Sequence, residues 1–157
     1  MAFHHRLIGK VARLYWRFRR PRTLGVRAIV LDDANRVALV RHTYTDHWYL
    51  PGGGVKKGES FEKALFRELE EEVALSNPKI ERLLGIYHSR REAKDDHIAI
   101  FAVRAKVSTE ENLQCSDLME IEDVRWFPLD RMPEAVSPAT SRRIAGYRAG
   151  IVGFGPW

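Results

Sequence analysis

Residues 53–75, GGVKKGESFEKALFRELEEEVAL, constrain the fold most, because they place carboxylates where an amphipathic helix buries its apolar side. Read as a helix from about Phe61 and advanced by roughly 100° per residue, Phe61, Leu65, Leu69 and Val73 form one apolar stripe. Glu72 falls inside that stripe, Glu68 beside it and Glu71 further round the same flank, while Glu70 points nearly the opposite way. Carboxylates at i, i+3 and i+4 repel one another, and a half-buried, unpaired one is costly unless something cationic meets it. A hard divalent cation, which takes oxygen ligands, is the simplest relief.

Just before this helix the run Gly52-Gly53-Gly54 leads through Lys56-Lys57-Gly58 to Glu59, a loop whose backbone can approach a ligand closely. Loop carbonyls next to helix carboxylates make an oxygen-only donor set, which favours Mg2+ or Mn2+ over zinc. Ser60 is the expected N-cap, with Glu62 in the first turn.

The spacing resembles the Nudix box, GX5EX7REUXEEXGU with U apolar. Gly53, Glu59, Arg67-Glu68-Leu69, Glu71-Glu72 and Leu75 match, and only the last glycine is replaced, by Ala74. That glycine ends the helix in a left-handed conformation. Ala74 either adopts it, at a cost on the order of 1 kcal/mol, or the helix runs on toward Asn77-Pro78. The resemblance implies that Gly53 offers its carbonyl to a metal and that Glu68, Glu71 and Glu72 are metal-binding carboxylates. Glu68 or Glu72 would also lie close to the attacking water, with Arg67 and Glu59 paired to orient the cluster. A pair holding loop to helix is the plain structural reading of Arg67 and Glu59, and the two are compatible.

A chain of 157 residues, 45% apolar and 30% charged, suits one globular domain with a real core. The single Cys115 excludes an internal disulfide and a multi-cysteine zinc site, so a cytoplasmic setting is expected. No apolar run approaches the roughly 20 residues that span a bilayer, and basic residues interrupt any signal-peptide core. The net charge of +5 is concentrated at one end: residues 1–22 carry Arg6, Lys10, Arg13, Arg17, Arg19, Arg20 and Arg22 and no acid, which leaves the remainder mildly acidic. Nucleic-acid binding is therefore not expected of the whole protein.

Within residues 1–22, Phe3, Leu7, Val11, Leu14 and Phe18 share one helical face and the cations another, until Pro21 stops the pattern. The expectation is a helix docked on the domain or on a second subunit of a homodimer. A membrane-surface contact through residues 1–20 and a targeting peptide are the alternatives. Residues 23–150 form the expected catalytic domain and 151–157 a tail.

Thr23–Leu31 and Val37–Val40 read as a hairpin around Asp32–Asn35, and Trp48–Leu50 as a short extended piece. Ile80–Ser89 and His97–Val107 read as strands joined by a loop over Arg90–Asp96, Ser108–Glu122 as an acidic loop, and Asp123–Phe127 as the last strand. Ser137-Pro138 starts a final helix that ends near Gly146 or Gly150. This order implies an α/β fold with a mixed sheet between helical layers, which the resemblance narrows to the Nudix αβα sandwich.

The resemblance implies metal-dependent hydrolysis of a nucleoside diphosphate linked to a group X, giving a nucleoside monophosphate and phosphorylated X. The box leaves the general base open among Glu110, Glu111, Asp117, Glu120 and Glu122, and Glu120 is the expected one. Arg41, Tyr44 and Tyr87 are candidate substrate contacts, by bidentate binding of phosphate or stacking on a base, whereas Trp48 is expected to pack beneath the loop. No pair among His42, His47, His88 and His97 has metal-ligand spacing, and Cys115 has no base beside it. Alternative functions are a sanitising hydrolase of oxidised or non-standard nucleoside triphosphates and a nucleotide sensor without catalysis.

Overall fold

The computed structural model describes residues 22–76, 78–90, 95–105, 113, 115 and 119–157. The basic amphipathic segment (1–21) and the loop acids Glu110, Glu111 and Asp117 lie outside them, as do Asn77, Arg91 and Val107.

Seven strands, β1 (Arg22–Leu31), β2 (Arg36–His42), β3 (Trp48–Tyr49), β4 (Lys79–Ser89), β5 (Asp95–Arg104), β6 (Ile121–Pro128) and β7 (Gly153–Pro156), and two helices, α1 (Phe61–Val73) and α2 (Pro138–Arg148), make up the described chain. One mixed sheet runs β3-β2-β1-β5-β4-β7, with β6 also paired to β2. The period-2 alternation of β1 sends Val26, Ala28 and Val30 into a core shared with Ala64, Leu65, Leu69 and Val73 of α1. Ile29 and Leu31 go into a second core with Leu39, Trp48, Leu50, Ile100 and Ile144 of α2. Helices therefore cover both faces, the expected αβα sandwich, and Trp48 is core as expected, 5% exposed.

The hairpin expected between β1 and β2 is shorter than its sequence suggests. The buried Asp32 shapes its turn, accepting N–H bonds from Ala34 and Arg36 at 3.0 and 2.7 Å. Only Leu31 and Val37 are then in register, and β2 turns away to run beside β6 from Arg36 to His42. The glycine run fills the edge of β1 that β2 leaves. Ala28 N–H bonds to the Pro51 carbonyl at 3.0 Å, Val26 N–H to that of Gly53 at 2.9 Å, and Val55 N–H to that of Leu24 at 2.8 Å. This substitution positions the loop over α1.

Other boundaries move. β5 starts at Asp95 and ends at Arg104 rather than spanning 97–107, and β6 begins at Ile121, inside the expected acidic loop. Residues 151–157, expected as a tail, include β7, which pairs parallel to β4 from Gly85↔Gly153 to His88↔Pro156. A four-residue Gly-Phe-Gly-Pro strand has no periodicity to read; only the open edge of β4 gives it a partner. Phe61 heads the stripe of α1 but lies at the rim, 37% exposed. No helix among the described residues is long and apolar enough to cross a membrane.

Candidate active site

Ser60 caps α1, its hydroxyl accepting the Lys63 N–H at 3.2 Å, and Ala74 closes it at φ 52, ψ 34 with its N–H on the Leu69 carbonyl. The left-handed turn is thus kept without glycine, and the helix does not run on. Leu65, Leu69, Val73 and Glu72 are buried, Glu68 is half-buried, and Glu70 and Glu71 are exposed.

Arg67 is the hub of the cluster. Its Nε and Nη2 grip the two Glu59 oxygens at 2.9 and 3.0 Å, a bidentate pair that ties the loop to the helix. Nη2 also donates to the Gly54 carbonyl at 3.0 Å, and Nη1 meets Glu68 at 2.6 Å and Glu71 at 3.2 Å. Part of the charge repulsion expected to require a metal is therefore relieved by Arg67, a correction to the argument from the helix alone. The pairing holds Glu59 far below the ordinary carboxylate range, at about 2, chiefly through the Arg67 hydrogen bonds and then the Lys56 N–H.

Glu72 sits deeper. Its Oε2 accepts the Gly52 N–H at 2.7 Å, and its Oε1 is 4.0 Å from His42 Nε2. Burial pushes its carboxyl up to about 7, the Glu68 and Glu120 charges adding to the rise while Arg27 and the Gly52 N–H oppose it. Burial, then the Arg27 charge, lowers the pKa of His42, so the 4.0 Å contact is no ion pair at neutral pH. Arg27 donates from Nη1 to the carbonyls of Leu50, at 3.0 Å, and Gly52. It was not singled out as a site residue, although one cation inside the apolar run of β1 is a legible signal.

Two of the glycines leave no room for a side chain as the chain is packed, Gly52 against backbone and Gly53 against a side chain that can move. A Cβ on Gly52, which sits at φ +132, would lie 2.2 Å from the Val26 carbonyl oxygen, and one on Gly53 would lie 2.5 Å from Glu68 Oε1. The site therefore brings together Gly53, Glu59, Arg67, Glu68, Glu71 and Glu72.

Glu120 and Tyr44 stand beside it. The Glu120 carbonyl accepts the Thr43 N–H at 2.9 Å, and the charges of Glu120 and Glu72 act on each other and on Tyr44. Tyr44, 76% exposed, stacks on His42 with ring centroids 5.1 Å apart. Arg41 is held instead by Glu122 at 3.1 Å and Asp123 at 3.7 Å, over the Trp48 ring. Tyr87 packs in the core layer under α2, on the sheet face away from α1.

The donor set suits a hard divalent cation in kind, since Glu68, Glu71, Glu72 and the Gly53 carbonyl offer only oxygens. The Gly53 carbonyl keeps a lone pair beyond its bond to Val26. In the present rotamers Glu68 and Glu71 turn onto Arg67, and no group of three or more His, Cys, Asp or Glu among the described residues converges on a metal position.

The NUDIX domain family model matches residues 21–145, most of the chain and all of this site. The chain belongs to the Nudix family. Nudix hydrolases act on pyrophosphate bonds of nucleotide-type substrates, and this chain is an enzyme of that class. A Bacillus subtilis (strain 168) protein named "Putative 8-oxo-dGTP diphosphatase" is 27% identical over 128 residues, 82% of this chain and 81% of its own length. An RNA pyrophosphohydrolase of Ruthia magnifica subsp. Calyptogena magnifica is 30% identical over 119 residues, 68% of this chain and 66% of its own. Among solved structures, a UDP-X diphosphatase superposes with a TM-score of 0.65 at 25% identity, covering 86% of this chain and 66% of that one.

Proposed function

We propose that this Nudix enzyme hydrolyses the pyrophosphate link of a nucleoside diphosphate joined to a second group X, releasing a nucleoside monophosphate and phosphorylated X. The supporting observation is the Arg67 hub, which clamps Glu59 of the glycine loop and gathers Glu68 and Glu71 on the helix flank beside buried Glu72. The solved UDP-X diphosphatase of the same fold favours an X-linked substrate.

Glu68, Glu71, Glu72 and the Gly53 carbonyl would hold Mg2+ or Mn2+. When bound, such a cation would neutralise charge on the pyrophosphate and make the attacking water more acidic. Glu120 accepts the proton as the water oxygen bonds to one phosphorus, while the bridging P–O bond breaks and its electron pair leaves with the other phosphate. Arg67 and Glu59 fix loop and helix as one rigid piece. Arg27 pins the Leu50 and Gly52 carbonyls and sets a positive charge near Glu72. Tyr44, exposed on the rim, offers a stacking face for the base. A cavity of about 390 Å3 lined by Arg27, Gly53, Gly54, Thr23 and Ile98 opens beside the glycine run and has room for part of the substrate.

A sanitising activity on oxidised or non-standard nucleoside triphosphates is the second reading, favoured by the name of the Bacillus subtilis relative. A product-release assay with Mg2+ or Mn2+ separates the two, run across nucleoside diphosphate sugars, ADP-ribose, CDP-alcohols, dinucleoside polyphosphates and oxidised dNTPs. The first reading expects monophosphate release from the X-linked compounds at the higher kcat/KM. A preference for oxidised dNTPs overturns it in favour of the second, and no turnover of any compound with either metal overturns both.

A further inference from the structure

α1 packs chiefly on β1, β2 and β6, so it covers only one half of its face of the sheet. The strand registers show what the other half presents, since residues paired across neighbouring strands point to the same side. Val26, Ala99, Ile86 and Phe154 form one such row across β1, β5, β4 and β7. Val26 lies in the core under α1, which fixes the side. Exposure climbs along the row from 0% and 1% at Val26 and Ala99 to 44% at Ile86 and 91% at Phe154. The row before it carries Leu24, His97 and His88, and the row after it Ala28, Phe101 and Leu83. The His88 and His97 rings lie 4.9 Å apart, consistent with a shared face. Leu24 and Leu83 are 49% and 45% exposed. Four large apolar side chains thus stand open on a strip whose three rows hold no Asp, Glu, Lys or Arg, and an apolar surface of this kind marks a contact.

Residues 1–21 end where this strip begins. Arg22 opens β1 opposite Asp95, and Leu24 of the strip follows two residues later. In residues 1–21 the apolar Phe3, Leu7, Val11, Leu14 and Phe18 share one helical face, and Pro21 stops the pattern at the residue before β1. A helix over residues 3–18 would be about 24 Å long, and β1 to β7 span about 14 Å in three strand spacings, so it reaches Phe154 even when laid obliquely. The segment after β5 starts instead beyond Arg104, at the opposite end of the strands, and its Leu113 and Cys115 pack on the α1-side core.

We propose that residues 1–20 of the same chain dock on this strip as a helix over β5, β4 and β7. Leu14 and Phe18 meet Leu24 and Ile86, and Phe3 and Leu7 reach toward Phe154. The tether at Arg22 makes the contact intramolecular, and the effective concentration it creates favours this segment over a second copy of the chain. Arg6, Lys10, Arg13 and Arg17 lie on the neighbouring stripe of the helix and keep their charges in water. The docked segment covers the half of the face that α1 leaves open.

The test uses the full chain, with light scattering to give its mass and methyl NOEs to give its contacts. A monomer should show NOEs from the methyls of Leu24, Leu83 or Ile86 to the ring protons of Phe3 or Phe18. Amides of residues 7–18 should exchange faster by about tenfold or more in the double variant Leu7→Ser/Leu14→Ser. Phe154→Ser, on the other side of the contact, should speed the same amides. A monomer without those NOEs, or exchange unchanged in both variants, overturns the proposal. So do NOEs seen only between differently labelled copies, which assign the strip to a dimer. Protection that appears only with phosphatidylglycerol vesicles overturns it too, and assigns the segment to a membrane surface. Should the double variant aggregate, the wild-type NOEs and Phe154→Ser still decide.

Discussion

A β-carbon on Gly53 would stand 2.5 Å from Oε1 and 2.7 Å from Oε2 of Glu68, so the loop and this carboxylate occupy the same small space. The obstacle is the far end of a flexible side chain, which can swing aside. Gly53→Ala should therefore leave stability within about 1 kcal/mol of wild type. Hydrolysis should fall by roughly 10²-fold, because the displaced carboxylate no longer sits where the reaction needs it. Thermal melts and kcat on the same preparation check both halves.

At Gly52 the obstacle is backbone: the Val26 carbonyl oxygen at 2.2 Å and the Arg27 Cα at 2.9 Å, with φ at +132. Neither can yield without breaking β1. Gly52→Ala should destabilise the fold by roughly 2–4 kcal/mol, from left-handed strain plus displacement of the strand edge. Denaturant midpoints, compared with those of Gly53→Ala, give the contrast.

Glu59 titrates at about 2 while Arg67 holds both of its oxygens. A carboxyl depressed in the folded state stabilises the protein above its unfolded value of 4.5, and that contribution disappears as pH falls toward 2. Carboxyl NMR should place the Glu59 midpoint near that value. In Arg67→Gln the midpoint should rise toward the ordinary range, and a midpoint unmoved by Arg67→Gln would refute the clamp.

Glu72 has the opposite sign. Its carboxyl is raised to about 7 in the metal-free fold, so its contribution is full below 4.5 and is lost as pH rises through 7. Glu72→Gln keeps an acceptor for the Gly52 N–H and carries no charge. At pH 8 it should be more stable than wild type by roughly 1–3 kcal/mol without metal, yet lose most hydrolytic activity. Mn2+ should stabilise wild type increasingly as pH climbs through 7 and Glu72→Gln far less. Melts at pH 5 and 8, with and without Mn2+, measure each arm.

Arg27 ties down the Leu50 and Gly52 carbonyls and lowers the pKa of Glu72 against the effect of burial. Arg27→Met should loosen residues 50–54, seen as faster amide exchange there, and push the Glu72 midpoint higher still. Activity should drop by about tenfold or more, through geometry rather than loss of a metal ligand.

The acidic helix, its cap at Ser60 and the glycine run were legible because each rests on near-neighbour chemistry: a 3.6-residue stripe, an oxygen for the first N–H groups, and residues without a Cβ. The start of α2 at Ser137-Pro138 was legible for the same reason. Arg41 and Tyr87 looked like site residues because they lie near the glycine run or end a strand. Their placement depended on which sheet face each side chain took and which carboxylates waited there. The tail became β7 only because β4 offered an unpaired edge.

The order of residues alone determined the Nudix pattern, the αβα layering and the carboxylates that cluster on α1, since helical period and turn chemistry act over a few residues. Tertiary structure decided how those groups are charged and held. Arg67 reaches Glu59 across eight residues, Arg27 comes to the glycine loop because β2 leaves the edge of β1, and Glu72 is raised by a burial that no local spacing sets. Such terms depend on distance and on exclusion of water, and only the packed chain supplies either.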